Sequence, residues 1–232
     1  MLGGSNMMIL DAQGARADSR LSAPILRFTK GTPIYCEGDP AKYWFEVVTG
    51  IVRTCRFHAD GRRQLTGFFY SGVVFGLDTA FHAEAAEAVT DTTLHRHART
   101  QPKSHRESPR SQEAAEFALR RALDSAQRCI FLLGHKTATE RVAAFLVAVT
   151  DRLEGHGQID LPMSRSDIAD HLGLTIHTVS RTISDLVRRR IIALNGPQHV
   201  RIIDREGLQA LTGEPEPEEL WARQGTHPGE AA

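Results

Sequence analysis

Between Ser164 and Leu186 the chain reads SRSDIADHLGLTIHTVSRTISDL, and this segment constrains the fold more than any other. Its signals predict two short helices joined by a tight turn. Met163-Ser164-Arg165-Ser166-Asp167 opens the first, which runs to His171, Gly173 turns the chain, and Thr175 caps a second helix to about Arg190. The strand-forming runs IIAL and HVRII follow, joined by Asn195-Gly196-Pro197-Gln198, a hairpin signal. Helix, turn, helix, hairpin is the order of a winged helix-turn-helix.

In such a unit a small residue on the first helix lets the second approach, a glycine makes the turn, and an apolar residue on the second fills the space between them. Ala169, Gly173 and Val179 stand in those roles, and Ile168, Leu172, Leu174, Ile183 and Leu186 complete the buried side. The opposite face of the second helix presents His177, Ser180, Arg181 and Ser184 at spacings of three and four, so all four can enter a major groove together. Any amphipathic helix has a solvated face, and each of these residues taken singly fits that description equally well. It is the register of turn glycine, caps and hairpin that favours DNA. Arg181 is the candidate guanine reader, because a guanidinium donates two hydrogen bonds to O6 and N7. Arg188, Arg189 and Arg190 lie beyond the groove-facing turns and suit phosphates. Ser164 and Arg165 at the start of the first helix, and Thr175 at the start of the second, are also expected on phosphates, since helix N-termini offer free N–H donors. Ser184, one turn beyond Ser180 and Arg181, is expected beside the phosphate backbone, where an acidic group would be repelled.

Formal net charge is zero over 232 residues, but the distribution is uneven. Between Leu161 and Ile203 six Arg face three Asp, a local +3; from Asp204 to Ala232 two Arg face seven acids, a local −5. A basic module therefore precedes an acidic tail. No stretch approaches the roughly 18 to 20 apolar residues of a membrane span, and the start lacks the basic-then-apolar pattern of an export signal. Cys36, Cys55 and Cys129 are odd in number, scattered and without metal-ligand spacing, as in a reducing compartment. A cytoplasmic location is expected. No Ser-His-Asp motif, phosphate-binding Walker loop or paired-His zinc motif provides a catalytic constellation, so no enzyme is expected.

Upstream, residues 1–23 read as a flexible arm. Residues 24–110 show short apolar runs cut by KGTP, EGDPAK, HADGRRQ and YSG, the pattern of a β-roll or barrel. Asp60-Gly61 marks the clearest hairpin, because the pair can supply the positive φ angles that a tight hairpin turn needs. Over 111–136 apolar residues at 115, 118/119, 122, 126, 129/130 and 133 form one helical stripe, suited either to packing on its twin in a dimer or to covering the β-roll of its own chain. A further helix from about Thr139 to Leu153 opens the DNA-binding region, assigned to 137–212, and 213–232 is the acidic tail.

The stretches EGDPAKYWFEVVTGIVRTCRF, DGRRQLTGFFYSGVVFGL, KTATERVAAFL and SRSDIADHLGLTIHTVSRTISDL resemble the CRP/FNR superfamily of bacterial regulators over nearly the whole chain, its FixK branch above all. The resemblance implies an α+β architecture: an N-terminal double-stranded β-roll of the cyclic-nucleotide-binding type, a long dimerisation helix and a C-terminal winged helix-turn-helix. It also implies a homodimer that activates transcription from double-stranded DNA by touching RNA polymerase. In FNR-like members a Ser-Arg pair reads a TTG half-site, and that pair matches Ser180 and Arg181. His177 departs from the family's usual Glu, and Ile176 could meet a thymine methyl, which adds both to the base-reading set.

No small-molecule effector is expected. The stretch VVFGLDTAFHAEAAEA, where related sensors hold a cyclic nucleotide's phosphate, offers Gly76 but no arginine, and an unpaired buried phosphate is costly. Residues 1–30 contain no cysteine to hold an iron-sulfur cluster. His95 and His97 share a strand face without a third ligand, and Cys129 reads as a small buried hydrophobe. Neither a metal nor a cofactor is therefore assigned.

Overall fold

The computed structural model describes residues 24–99, 120, 123–124, 126–153, 158–196 and 198–213. The arm, the acidic tail beyond residue 213 and most of the N-terminal half of the expected dimerisation helix lie outside these residues. Among the described residues, 24–99 form eight strands: β1 (Ile25–Phe28), β2 (Pro33–Tyr35), β3 (Tyr43–Thr49), β4 (Val52–Phe57), β5 (Arg63–Phe69), β6 (Val74–Phe75), β7 (Ala85–Ala88) and β8 (Thr92–Ala98). They make two antiparallel four-stranded sheets, β1-β8-β3-β6 and β2-β7-β4-β5. Tyr35, Phe45, Val47, Val52, Phe75, Ala86 and Leu94 form a core to which both sheets contribute, as the alternation of apolar residues along each strand requires.

The β4–β5 hairpin forms as expected, but its turn differs. It spans five residues, His58–Arg62, and among them only Gly61 has a positive φ, of 82°. The Asp60 side chain does not supply a second left-handed residue; its carboxylate instead accepts the Arg62 N–H at 3.0 Å. Gly50, in the β3–β4 turn, is a stricter requirement. Its φ is 88°, and a Cβ there would sit 2.5 Å from the Asp91 carbonyl oxygen.

The described residues of 120–135 are helical (α1). Then follow α2 (Ala138–Arg152), β9 (Gln158–Asp160), α3 (Arg165–Leu172), α4 (Ile176–Arg188), β10 (Ile192–Leu194), β11 (His199–Ile202) and α5 (Arg205–Ala210). Thr137 and Glu140 close a capping box at the start of α2. The wing is a three-stranded sheet, β10-β11-β9, rather than the expected two-stranded hairpin. Helix α4 stops at Arg188, two residues short of the expected end, because Arg190 turns left-handed at φ 59°. Cys129 is half-buried in the single chain.

The two halves share a second core. Cys55, Leu65 and Phe68 of the β4–β5 hairpin, with Tyr70 just beyond it, pack with Val142, Phe145 and Leu146 of α2 and with Ile168, Ala169 and Leu172 of α3. Arg141 adds a polar joint, donating to the carbonyls of Leu133 and Lys136 at the end of α1 and of Leu172 at the end of α3, at 2.9, 2.9 and 3.0 Å. These carbonyls lack intrahelical partners, so one guanidinium satisfies helix ends that would otherwise need water.

Gly50→Ala is expected to destabilise the protein by about 2–5 kcal/mol, combining left-handed strain with overpacking against the Asp91 carbonyl. Chemical denaturation checks this; a loss under about 1 kcal/mol would contradict the close approach.

Candidate nucleic-acid interface

The turn between α3 and α4 is built as its residue types demand. Ser164 caps α3, its hydroxyl accepting the Asp167 N–H at 3.1 Å while the Asp167 carboxylate accepts the Ser164 N–H at 3.1 Å. Gly173 ends α3 in the left-handed region at φ 62°. Thr175 caps α4, accepting the Thr178 N–H at 3.1 Å. Ala169 and Val179 are fully buried where the helices approach, and Ile168, Leu172, Ile183 and Leu186 are buried beside them. Leu174 is half-buried against the same core.

This packing turns the other side of α4 outward. Ile176, His177, Ser180, Arg181 and Ser184 are all exposed, as are Thr175, Arg188 and Arg189. Ile176 is 49% exposed, unusual for an isoleucine on a helix whose other face is buried. The five therefore lie on one uninterrupted surface with the dimensions of a helix face. The Ser184 hydroxyl donates to the Ser180 carbonyl at 3.0 Å, which holds it flat against the helix and leaves room for a close neighbour. Arg188 forms an ion pair with Asp185 one turn back. Arg165 is placed differently from the α4 residues: it is half-buried, and burial lowers its pKa.

Sequence reasoning did not find the partners of Asp167. Besides capping α3, it accepts from Arg53 and Arg63 of the β4–β5 hairpin. Burial alone would raise its pKa, but the Ser164 bonds and the two guanidinium groups outweigh that and hold the carboxyl below its ordinary value. The Ser-x-x-Asp spacing marks the cap in the sequence; nothing local marks the arginines, which lie more than a hundred residues earlier. His171, one turn on, is half-buried between Phe68 and Phe145. Burial pushes its pKa down to about 4, assisted by the Arg152 charge and opposed by a hydrogen bond to the Leu65 backbone.

Elsewhere, His97 stacks on Trp44 at 3.8 Å and lies 3.7 Å from a Glu46 oxygen. Among the described residues no group of three or more His, Cys, Asp or Glu gathers as a metal site, and no helix is long and apolar enough to cross a membrane.

A β-roll joined to a winged helix-turn-helix with an uncovered polar recognition face defines a DNA-binding transcription regulator, and known proteins agree. Residues 140–211 match the Crp-like helix-turn-helix domain and residues 25–101 the cyclic nucleotide-binding domain. The chain is 40% identical to the nitrogen fixation regulation protein FixK of Rhizobium meliloti, over 81% of this chain and 86% of that one. It is 36% identical to the transcriptional activatory protein AadR of Rhodopseudomonas palustris, over 80% of each. The structure of FixK2 from Bradyrhizobium japonicum superposes with a TM-score of 0.71 at 37% identity, covering 84% of this chain and all of that one. The chain belongs to the CRP/FNR family of transcription regulators, and its relatives include FixK proteins.

Two outcomes follow from this geometry. His171 is neutral when folded and takes up a proton readily only when unfolded, so stability falls as pH drops from about 6.5 towards 4, by on the order of 3 kcal/mol at the lower end. Comparing wild type with His171→Leu by denaturation at pH 7 and pH 4.5 isolates that contribution; an unchanged difference would contradict the burial. Ser184→Asp should abolish DNA retardation with an unaltered melting temperature while Ser184→Ala stays near wild type, and unchanged affinity of the Asp variant would refute the DNA-facing placement.

Proposed function

We propose that this regulator is a homodimeric activator that binds a TTG…CAA palindrome, contacts RNA polymerase, and acts without a small-molecule effector. The observation that carries the reading is the free face of α4, where Ser180 and Arg181 stand exposed one turn from the helix start with Ile176 and His177 beside them. In this reading Arg181 takes the guanine of each half-site, Ser180, His177 and Ile176 line the neighbouring base edges, and Ser164, Arg165, Thr175, Ser184, Arg188 and Arg189 meet phosphates. Arg188 then exchanges Asp185 for a phosphate.

Dimerisation is supported by α1, which leaves Leu123, Ile130 and Phe131 more than half exposed in the single chain. A second copy of the helix would cover them and set the two recognition helices about one DNA turn, roughly 34 Å, apart. The names of the FixK relatives suggest nitrogen fixation genes as targets.

Effector independence is supported by what surrounds Gly76. His82 stacks on Tyr35 at 3.7 Å and hydrogen-bonds Asp78 at 3.0 Å. The Glu84 carboxylate accepts from Thr66, and the Arg99 guanidinium donates to the Gly76 carbonyl. The Arg99 guanidinium is already engaged by that carbonyl, and the other groups named are carboxylates and stacked rings rather than the cations a phosphate needs.

A gel shift on a TTG-N8-CAA duplex with no added ligand tests the palindrome, dimer and effector parts of this reading. Retardation as a dimer, with Arg181→Ala costing about 1–3 kcal/mol per half-site and relaxing preference at the guanine, is the expected result. A requirement for an added effector would favour the alternative of a ligand held in the β-roll. A protein that stays monomeric on DNA by light scattering would overturn the dimer.

A further inference from the structure

Two arginines of the β-roll converge on the first helix of the DNA-binding unit. Arg53 on β4 reaches the Asp167 carboxylate with Nη1 at 2.8 Å, and Glu87 on the adjacent β7 with Nη2 at 2.8 Å. Arg63, which begins β5, brings Nη2 to 2.6 Å from the same Asp167 oxygen. Its Nε and Nη2 also donate to Asp170 at 3.0 and 2.8 Å. Gln64 adds a neutral bond, its Nε2 donating to the Asp170 carbonyl at 2.7 Å. The Asp167 side chain is only 6% exposed, and those of Arg53 and Arg63 are 16% and 23%. One carboxylate thus completes the α3 capping box and receives two guanidinium groups from the other half of the molecule.

A shielded cluster of this kind adds little net stability, because stripping water from the charges offsets most of their attraction. What it supplies is direction. The planar fork of a guanidinium accepts a carboxylate in few orientations, and here two forks act on one helix. Helix α4 is packed rigidly on α3 through Ala169 and Val179, so the attitude of α3 on the β-roll is also the attitude of the recognition face. The cluster covers no part of that face: Ile176, His177, Ser180, Arg181 and Ser184 stay exposed with it in place. It is a mount, not a lid.

We propose that Arg53 and Arg63 are positioning residues for DNA binding: through Asp167 and Asp170 they fix the angle of the helix-turn-helix on the β-roll, and so the half-site spacing that a dimer accepts. This rests on the palindrome-binding dimer proposed above. Neither arginine touches DNA in this arrangement, so their removal should leave the contacts within one half-site intact and loosen only the relation between the two.

The experiment compares wild type, Arg63→Gln and Asp170→Asn on three kinds of duplex: a matched palindrome, palindromes with the half-sites one base pair closer or farther apart, and a single half-site. Wild type is expected to prefer the matched spacing by about tenfold or more, whereas both variants should discriminate by less than about threefold and bind the single half-site within about twofold of wild type. Spacing preference retained in both variants would overturn the positioning role, as would equal losses on palindrome and half-site, which mark a merely structural defect. Should Arg63→Gln fail to fold, Asp170→Asn decides, because Asp170 lies at the cluster's rim with 25% exposure and outside the capping box. Failure of Asp170→Asn to fold would also overturn the proposal, by making the cluster a stability element. A wild-type protein indifferent to spacing would instead overturn the palindrome-binding dimer, and the positioning role with it.

Discussion

The attitude of the exposed α4 face hangs on how α3 is seated. Its N-terminal carboxylate, Asp167, closes the helix's own cap and accepts two cations from the β4–β5 hairpin. Its C-terminal carbonyl at Leu172 receives Arg141 from α2, the same guanidinium that ends α1. Between these two polar joints the apolar flank of α3 is pressed on Leu65, Phe68 and Phe145. The helix is therefore held at both ends by directional bonds and along its side by packing, which is non-directional but dense. Helix α4 inherits that placement and keeps its outer face exposed.

The same arrangement explains why histidine can occupy position 171. An imidazole pressed between two phenylalanines gives up its charge. The region thus mixes one neutral histidine, a charged cluster and an aromatic contact within two turns of helix. The charged cluster, with two guanidinium forks on one helix, defines one relative orientation more sharply than an apolar interface of equal area.

Much of this was legible in the chain because the relevant signals are local. Ala169, Gly173, Thr175 and Val179 define the turn within eleven residues, and the period of Ile183 and Leu186 separates the buried from the exposed side of α4. The β-roll was legible as a class from its turn punctuation. Strand β9 was not: three residues beside a proline carry no periodicity, and they become a strand only because β11 offers an unpaired edge. The hairpin at Asp60-Gly61 was read correctly as a hairpin but with too tight a turn, since one left-handed glycine serves a five-residue loop as well as a two-residue one. The seating of α3 was invisible for a different reason. Arg53 and Arg63 lie on strands whose outward residues alternate without distinction, and their partners are fixed by tertiary packing between distant segments.

The second core has a consequence for how such a molecule can be taken apart. Because Cys55, Leu65, Phe68 and Tyr70 belong to the same cluster as the helices below them, the seam between β-roll and winged helix does not run through the connecting helix but through the middle of the β4–β5 hairpin. A chimera cut at the connecting helix would strand an apolar hairpin face against a foreign surface and leave the Asp167 carboxylate facing whatever residues the new roll supplied. A transplant of this winged helix onto another roll therefore has to carry the hairpin along, because the structural unit is larger than the winged helix alone.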